Sequence, residues 1–295
     1  MNPIASQGLR LRADAEALAA GFPSLMAAAD RLATLATLGP HGRRRPGLGA
    51  EFWQYRMAEQ TDGLRDIDWR RSARGDDRFV RQMELQIAQS LSIWVDQGAS
   101  MNFVSEKSSE TKAHRAEVLG LAAALLMVKS GERVGLLGDP DPPKIGISQV
   151  EKMAMSLASV DRDEEYAAPA KRDLQPGSHV VFFSDFLGDW PSIISALSNS
   201  ASQRVNGILV QVLDPVEEEF PYSRRVIFES IGGGLSFETQ QAGALRDRFL
   251  ARMHARKQAL RDLARNTGWQ LLFHRTDQPA LEALRWIFLA MEKKS

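Results

Sequence analysis

The chain contains no cysteine, which removes disulfides, thiolate metal centres and cysteine nucleophiles from consideration and is compatible with a reducing compartment. It also lacks an excess of charge. The 37 basic side chains balance 37 acidic ones, so no global field draws in nucleic acid or anionic lipid, and any such binding would have to be local. Long apolar runs are missing too. The longest, around Leu119–Val128 and Val180–Phe183, fall far short of the roughly 20 residues that a membrane-spanning helix requires. Near the N-terminus Arg10, Arg12, Asp14 and Glu16 interrupt any secretory leader pattern. The expectation is a soluble, cytoplasmic protein.

Other absences bear on chemistry. There is no D-x-D-x-T aspartyl-phosphate signature, no glycine-rich phosphate loop ending in Lys-Ser/Thr and no histidine cluster, so phosphoryl transfer lacks its usual parts. No threonine occurs between Thr111 and Thr239.

What is present is alternation. From Leu91 onward apolar strands and amphipathic helices take turns, the pattern of a mainly parallel sheet covered by helices on both faces. The strands are expected at 91–95, 133–138, 179–185, 207–213 and 269–273, with helices at 113–129, 149–159, 190–197, 240–265 and after Leu281. Gly131 suits the end of the first of these helices, and Ser148 with Glu151 resembles a capping box at the start of the second. A hairpin over 226–230 and 235–239 would turn at Gly232, Gly233 and Gly234.

Upstream, residues 9–38 read as two short helices and 39–47 as a loop carrying Arg43, Arg44 and Arg45, which fit a solvated turn. Residues 50–57 and 78–84 suit extended segments. At 295 residues the chain accommodates two domains. The expected division is 1–88 for the N-terminal region and 89–295 for the α/β domain.

Between the two extended segments lies DGLRDIDWRRSARGDDRFVRQMELQ (62–86). No generic helix or strand needs that density of Arg, Asp and Trp in fixed order. Together with Gly47, Gly49, Glu51, Phe52 and Tyr55 before it, Val80, Arg81 and Glu84 after it, and VDQGASM at 95–101, it resembles the bacterial family called domain of unknown function 58 (DUF58). RVGLL (133–137), Phe183–Phe186, Leu213-Asp214-Pro215 and Phe220-Pro221 extend the likeness over 47–230. Gly63 stands where that family often has Asp. The resemblance implies a von Willebrand factor A-like domain, doubly wound and mainly parallel, following a family-specific N-terminal region. It also implies a partner, a MoxR-type AAA+ ATPase for which such proteins serve as adaptors.

In A-like domains the first strand ends in D-x-S-x-S, which holds a divalent cation with a threonine and an aspartate from later loops. Asp96 and Ser100 keep two positions of that motif, Gly98 replaces its first serine, and Asp185 matches the later aspartate. The middle hydroxyl is absent unless Ser148 or another serine substitutes. One reading therefore places Mg2+ on Asp96, Ser100 and Asp185, with water completing an octahedral shell. The other has both aspartates hydrogen-bonding the backbone of their own loops.

The 66–84 segment is equally two-sided. Asp66 and Asp68 could pair with Arg70, Arg74 or Arg81 in a partly buried network, or the arginines and Trp69 could form a protein-binding surface, and the two are compatible. Glu217, Glu218 and Glu219 read as solvated surface and His274 as a fold edge. The leading function is a non-enzymatic interaction module. The competing one is a magnesium-dependent phosphohydrolase or phosphotransferase using Asp96 and Asp185, for which no base or nucleophile can be assigned.

Overall fold

The computed structural model describes residues 27, 29–31, 33–34, 46–59, 62–63, 65–73, 75, 77–84, 90–159, 164–169, 171–222, 226–229, 236–239 and 243–292. Two compact units emerge, one of residues 39–88 and one of residues 1–38 with 89–295.

The larger unit is built on five parallel strands: β3 (Ser90–Val95), β4 (Arg133–Leu136), β5 (His179–Ser184), β6 (Asn206–Leu213) and β9 (Gln270–Arg275), in the spatial order β4-β3-β5-β6-β9. The chain moves outward from β3 to β4, then returns to the other side of β3 for β5. That reversal falls between β3 and its neighbours, and beyond the carboxyl ends of strands at such a switch lies the usual ligand position of an open α/β sheet. The expected doubly wound α/β fold is the one observed.

Strand alternation assigns the two faces. Leu91, Ile93, Val95, Val181, Phe183, Val210 and Val212 pack into one core under helices α2 (Lys112–Lys129), α3 (Ile147–Ala158) and α7 (Ala280–Glu292). Their neighbours Trp94, Val180, Phe182 and Leu209 turn the other way toward α4 (Trp190–Ser202) and α6 (Gly243–Thr267). Helix α2 is buried along nearly its whole length, from Lys112 to Met127. From Val118 to Met127 it is apolar on all sides, as a helix within a core should be, and each of its fully buried leucines contributes about 2 kcal/mol. Ala29 and Ala33, in a helical stretch upstream, join the same core.

On the other face, Trp269 stacks on Phe182 with ring centroids 5.6 Å apart, and its indole N–H donates to the Val205 carbonyl at 3.2 Å. Its ring lies directly over Gly207, where an added Cβ would come within 1.9 Å of it. Only glycine allows that approach.

Local signals held unevenly. Gly131 takes the left-handed conformation, φ 81°, just past α2, as a helix terminator should. The box expected at Ser148 and Glu151 does not form. Helix α3 starts at Ile147 with Gly146 as its cap and no capping side chain. The box that does form belongs to α5 (Pro215–Glu219), where the Asp214 carboxylate caps the first turn and Glu217 reaches back to the Asp214 amide at 2.9 Å. Strands β7 (Val226–Glu229) and β8 (Ser236–Thr239) pair antiparallel, while Gly232–Gly234 lie outside the described residues, as do Arg43–Arg45.

The smaller unit contains β1 (Pro46–Met57), the one-turn helix α1 (Trp69–Ser72) and β2 (Phe79–Glu84), with β1 and β2 antiparallel. Ile67 bridges Val80, and both side chains are buried.

Candidate functional site

Three strands of the larger unit end in aspartate: Asp96 after β3, Asp185 after β5 and Asp214 after β6. All three are buried. Buried carboxylates need partners, and each finds them within the protein.

Asp96 accepts the Ser184 hydroxyl at 2.6 Å on Oδ2 and the Gly98 amide at 2.8 Å on Oδ1. Burial, with repulsion from Asp185 behind it, pushes the carboxyl of Asp96 up to about 6 against the pull of those bonds. Asp185 accepts the Leu187 amide at 2.9 Å on Oδ1. Its Oδ2 lies 2.8 Å from the ammonium of Lys112. Lys112 is wholly buried and also donates to Glu217 Oε1 at 2.6 Å, with the Phe103 ring centroid 6.0 Å from its Nζ. Burial pulls the Lys112 amine down, but the fields of Asp185 and Glu217 outweigh it and hold the amine above its ordinary range. The charged ammonium is therefore the resident form. Asp214 accepts the Val216 amide at 2.9 Å and the Ser105 amide at 3.0 Å.

The loop at 164–169 closes over the mouth of this cluster. The Ala99 and Ser100 amides donate to the Glu164 and Glu165 carbonyls at 2.8 and 2.9 Å. A Cβ at Gly98 would stand 2.9 Å from Ala167 N, Glu165 O and Tyr166 Cα. Backbone thus fills the space that a serine at position 98 would occupy. The Ser100 hydroxyl is buried with no hydrogen-bond partner among the described residues.

The acidic triplet faces solvent mainly at Glu219, whose side chain is 40% exposed. Glu217 points inward to Lys112, Glu218 pairs with Lys257, and Glu219 pairs with Lys107 at 2.6 Å and with Arg275 at 3.1 Å. His274 is not a bare edge. It is buried, and its Nε2 lies 2.8 Å from Arg115 Nη1. Arginine can only donate, so Nε2 accepts and the proton sits on Nδ1. Burial, then the Arg115 charge, lowers the imidazole to about 4. Arg115 also binds the Gln278 and Thr276 carbonyls and the Glu110 carboxylate.

Lys112 was not foreseen, although a signal existed. Thr111 caps α2, accepting the His114 amide at 3.1 Å, which puts a lysine on the first turn, where the helix dipole disfavours positive charge. A cation there, ahead of an apolar helix, calls for buried anions nearby.

In the smaller unit, Asp68 caps α1 by accepting the Arg71 amide at 3.1 Å and also accepts the Tyr55 hydroxyl at 3.3 Å. Asp66 is exposed and accepts the Gly63 amide at 3.2 Å. Ser72 Oγ donates to the Asp68 carbonyl and accepts the Phe79 amide, both at 2.9 Å. The Arg71 guanidinium lies over the rings of Tyr55 and Phe79, 4.5 and 5.2 Å from their centroids. On this platform Trp69 is left 54 % exposed, with Arg70 exposed beside it. Arg81 and Glu84 are described through their backbone alone, in β2 opposite Tyr55 and Pro46. Arg74 lies outside the described residues.

The model of a family described as protein of unknown function DUF58 matches residues 54–259. An uncharacterized protein of Mycobacterium tuberculosis is 28% identical over 260 residues, covering 81% of this chain and 79% of that protein, and an uncharacterized protein of Mycobacterium bovis matches equally. Two solved structures align over 70% of this chain and 100% of their own. One is an aerotolerance-related membrane protein from Bacteroides fragilis, at 16% identity and a TM-score of 0.42, and the other is the conserved hypothetical protein BatB from Bacteroides thetaiotaomicron, at 14% and 0.38.

Proposed function

Since the chain belongs to the DUF58 family, we propose that it is a non-enzymatic protein-interaction module with a von Willebrand factor A-like domain, an adaptor for a MoxR-type AAA+ ATPase. The ATPase class comes from the resemblance of the 62–86 motif. The observation that supports a docking role is Trp69, 54 % exposed on a turn whose geometry is pinned from beneath by Asp68, Tyr55, Ser72 and Phe79. Exposed tryptophan flanked by arginine is the composition of an interface anchor, and a rigid platform lowers the entropy cost of using it. The cytoplasm, where such an ATPase finds nucleotide, is the compartment this reading requires. Among the described residues no helix is long and apolar enough to cross a membrane.

The phosphotransfer reading finds no comparable support. Asp96 and Asp185 accept hydrogen bonds from Ser184, Gly98, Leu187 and Lys112, contacts that serve their own loops and the buried lysine.

The test is direct binding of the full chain to a purified MoxR-type ATPase from the same cells, with ATP and magnesium. A saturable complex weakened tenfold or more by Trp69→Ala or Arg70→Ala, with the fold retained by circular dichroism, supports the module. No saturable complex with the wild type, or wild-type affinity in both variants, refutes it.

A further inference from the structure

We infer that the strand-end site of the larger unit carries its own cation, the Lys112 ammonium, in place of the divalent metal that its aspartates would otherwise invite. The inference concerns the site's chemistry and stands whether or not the docking reading above survives.

Four observations meet here. The ammonium lies 2.8 Å from Asp185 and 2.6 Å from Glu217, the distances of short, charge-assisted hydrogen bonds. Its side chain is 1% exposed, so it is a built-in part of the site and not a surface lysine that folded over it. Each Asp96 oxygen already accepts a hydrogen bond, and so does Oδ1 of Asp185. Backbone of Glu165, Tyr166 and Ala167 fills the place of a ligand side chain at position 98.

A magnesium ion demands six oxygens in near-ideal octahedral array and surrenders its waters reluctantly. Here Ser100 Oγ is the one motif oxygen left without a partner among the described residues. To enter, a divalent ion would have to expel the ammonium from between two carboxylates or sit against it in a buried space, where like charges repel strongly. The lysine instead brings one positive charge by covalent attachment, independent of metal supply and of chelators. A partner can therefore reach this end of the sheet only through side-chain and backbone contacts, without a bridging metal.

The experiment is Mn2+ titration of the full chain, read by electron paramagnetic resonance for free ion and by thermal unfolding. Wild type, Asp185→Asn, Asp96→Asn and Lys112→Ala would be compared. The expected result is that wild type binds no Mn2+ beyond what the two aspartate variants bind, and that its unfolding midpoint is the same with Mn2+ as with a chelator. Lys112→Ala leaves Asp185 and Glu217 facing an empty space. Its lowered midpoint should rise with the logarithm of Mn2+ concentration, as binding linkage requires. A Mn2+ site in wild type that either aspartate substitution removes would overturn the inference. If Lys112→Ala does not yield folded protein, the wild-type comparison alone decides, and Lys112→Arg, which keeps the charge, provides a folded variant expected to stay equally silent to Mn2+.

Discussion

Ser184 Oγ donates to Asp96 Oδ2 at 2.6 Å, joining the ends of two adjacent parallel strands through a carboxylate that burial works against. Burial and Asp185 raise the Asp96 carboxyl from 3.8 to about 6, so between those values the folded chain holds a proton that the unfolded chain has lost. Stability from this group is fully present below about pH 4 and declines as pH rises to about 6, by about 3 kcal/mol if each pKa unit is worth about 1.4 kcal/mol. Asp96→Asn cannot ionise and keeps an acceptor for Gly98. Urea unfolding should show this variant gaining on wild type across that window and holding the gain at pH 8. A constant difference from pH 4 to pH 8 would show that Asp96 does not carry the effect.

His274 acts in the opposite direction. Its imidazole falls from 6.5 to about 4 in the fold, so the unfolded chain binds the extra proton in that interval. The stability it contributes is complete above about pH 6.5 and is lost as pH falls to about 4, again about 3 kcal/mol. In His274→Gln the stability curve should flatten on the acid side. An undiminished acid slope would assign the lability to other groups.

Removing Lys112 alone should be severe. Lys112→Met leaves Asp185 and Glu217 as buried carboxylates without their cation, and breaking such a pair from one side costs about 3–5 kcal/mol. Adding Asp185→Asn and Glu217→Gln removes the stranded charges, and the triple variant should recover most of the loss. Equilibrium unfolding of wild type, Lys112→Met and the triple variant measures this, and a triple variant no better than Lys112→Met would mean that the charges were not the cause.

Restoring the serine of D-x-S-x-S should not restore a metal site. Gly98→Ser drives a Cβ to 2.9 Å from three backbone atoms of residues 165–167, and overpacking of that kind costs about 1–3 kcal/mol. The unfolding midpoint should fall and should not rise again on adding Mg2+. A variant as stable as wild type would show that the 164–169 loop yields easily.

Much of the architecture could be read directly from the chain because burial imposed its own periodicities. Strands buried on both faces appear as unbroken apolar runs, and Val180–Phe183 could hardly have been anything else. The aspartates at strand ends were visible for the same reason, each standing where an apolar run stops. Their partners were not, because pairing across 73 residues, as between Lys112 and Asp185, leaves no local trace. The same holds for His274 and Arg115, 159 residues apart. Glu217 was misread because a run of three acids ordinarily faces water, and only the helix start at Asp214 turns its first member inward. In the smaller unit, Asp68 as a helix cap was within reach of a short-range rule. The stacking of Arg71 on Tyr55 and Phe79 depends on a strand register that the spacing of apolar residues did not specify.

Along the outer margin of the sheet, Val134 and Lys144 exchange both backbone hydrogen bonds, at 2.9 and 3.0 Å. The four-residue β4 thereby meets, at Val134, a return segment of the same chain that carries Pro142 and Pro143. An unprotected margin is a template on which another polypeptide can lay down a further strand. Here the molecule has already used that hydrogen-bonding capacity at Val134 on itself. Crowding many copies together, as overproduction in a cell would do, should not make this border a nucleus for fibrous growth.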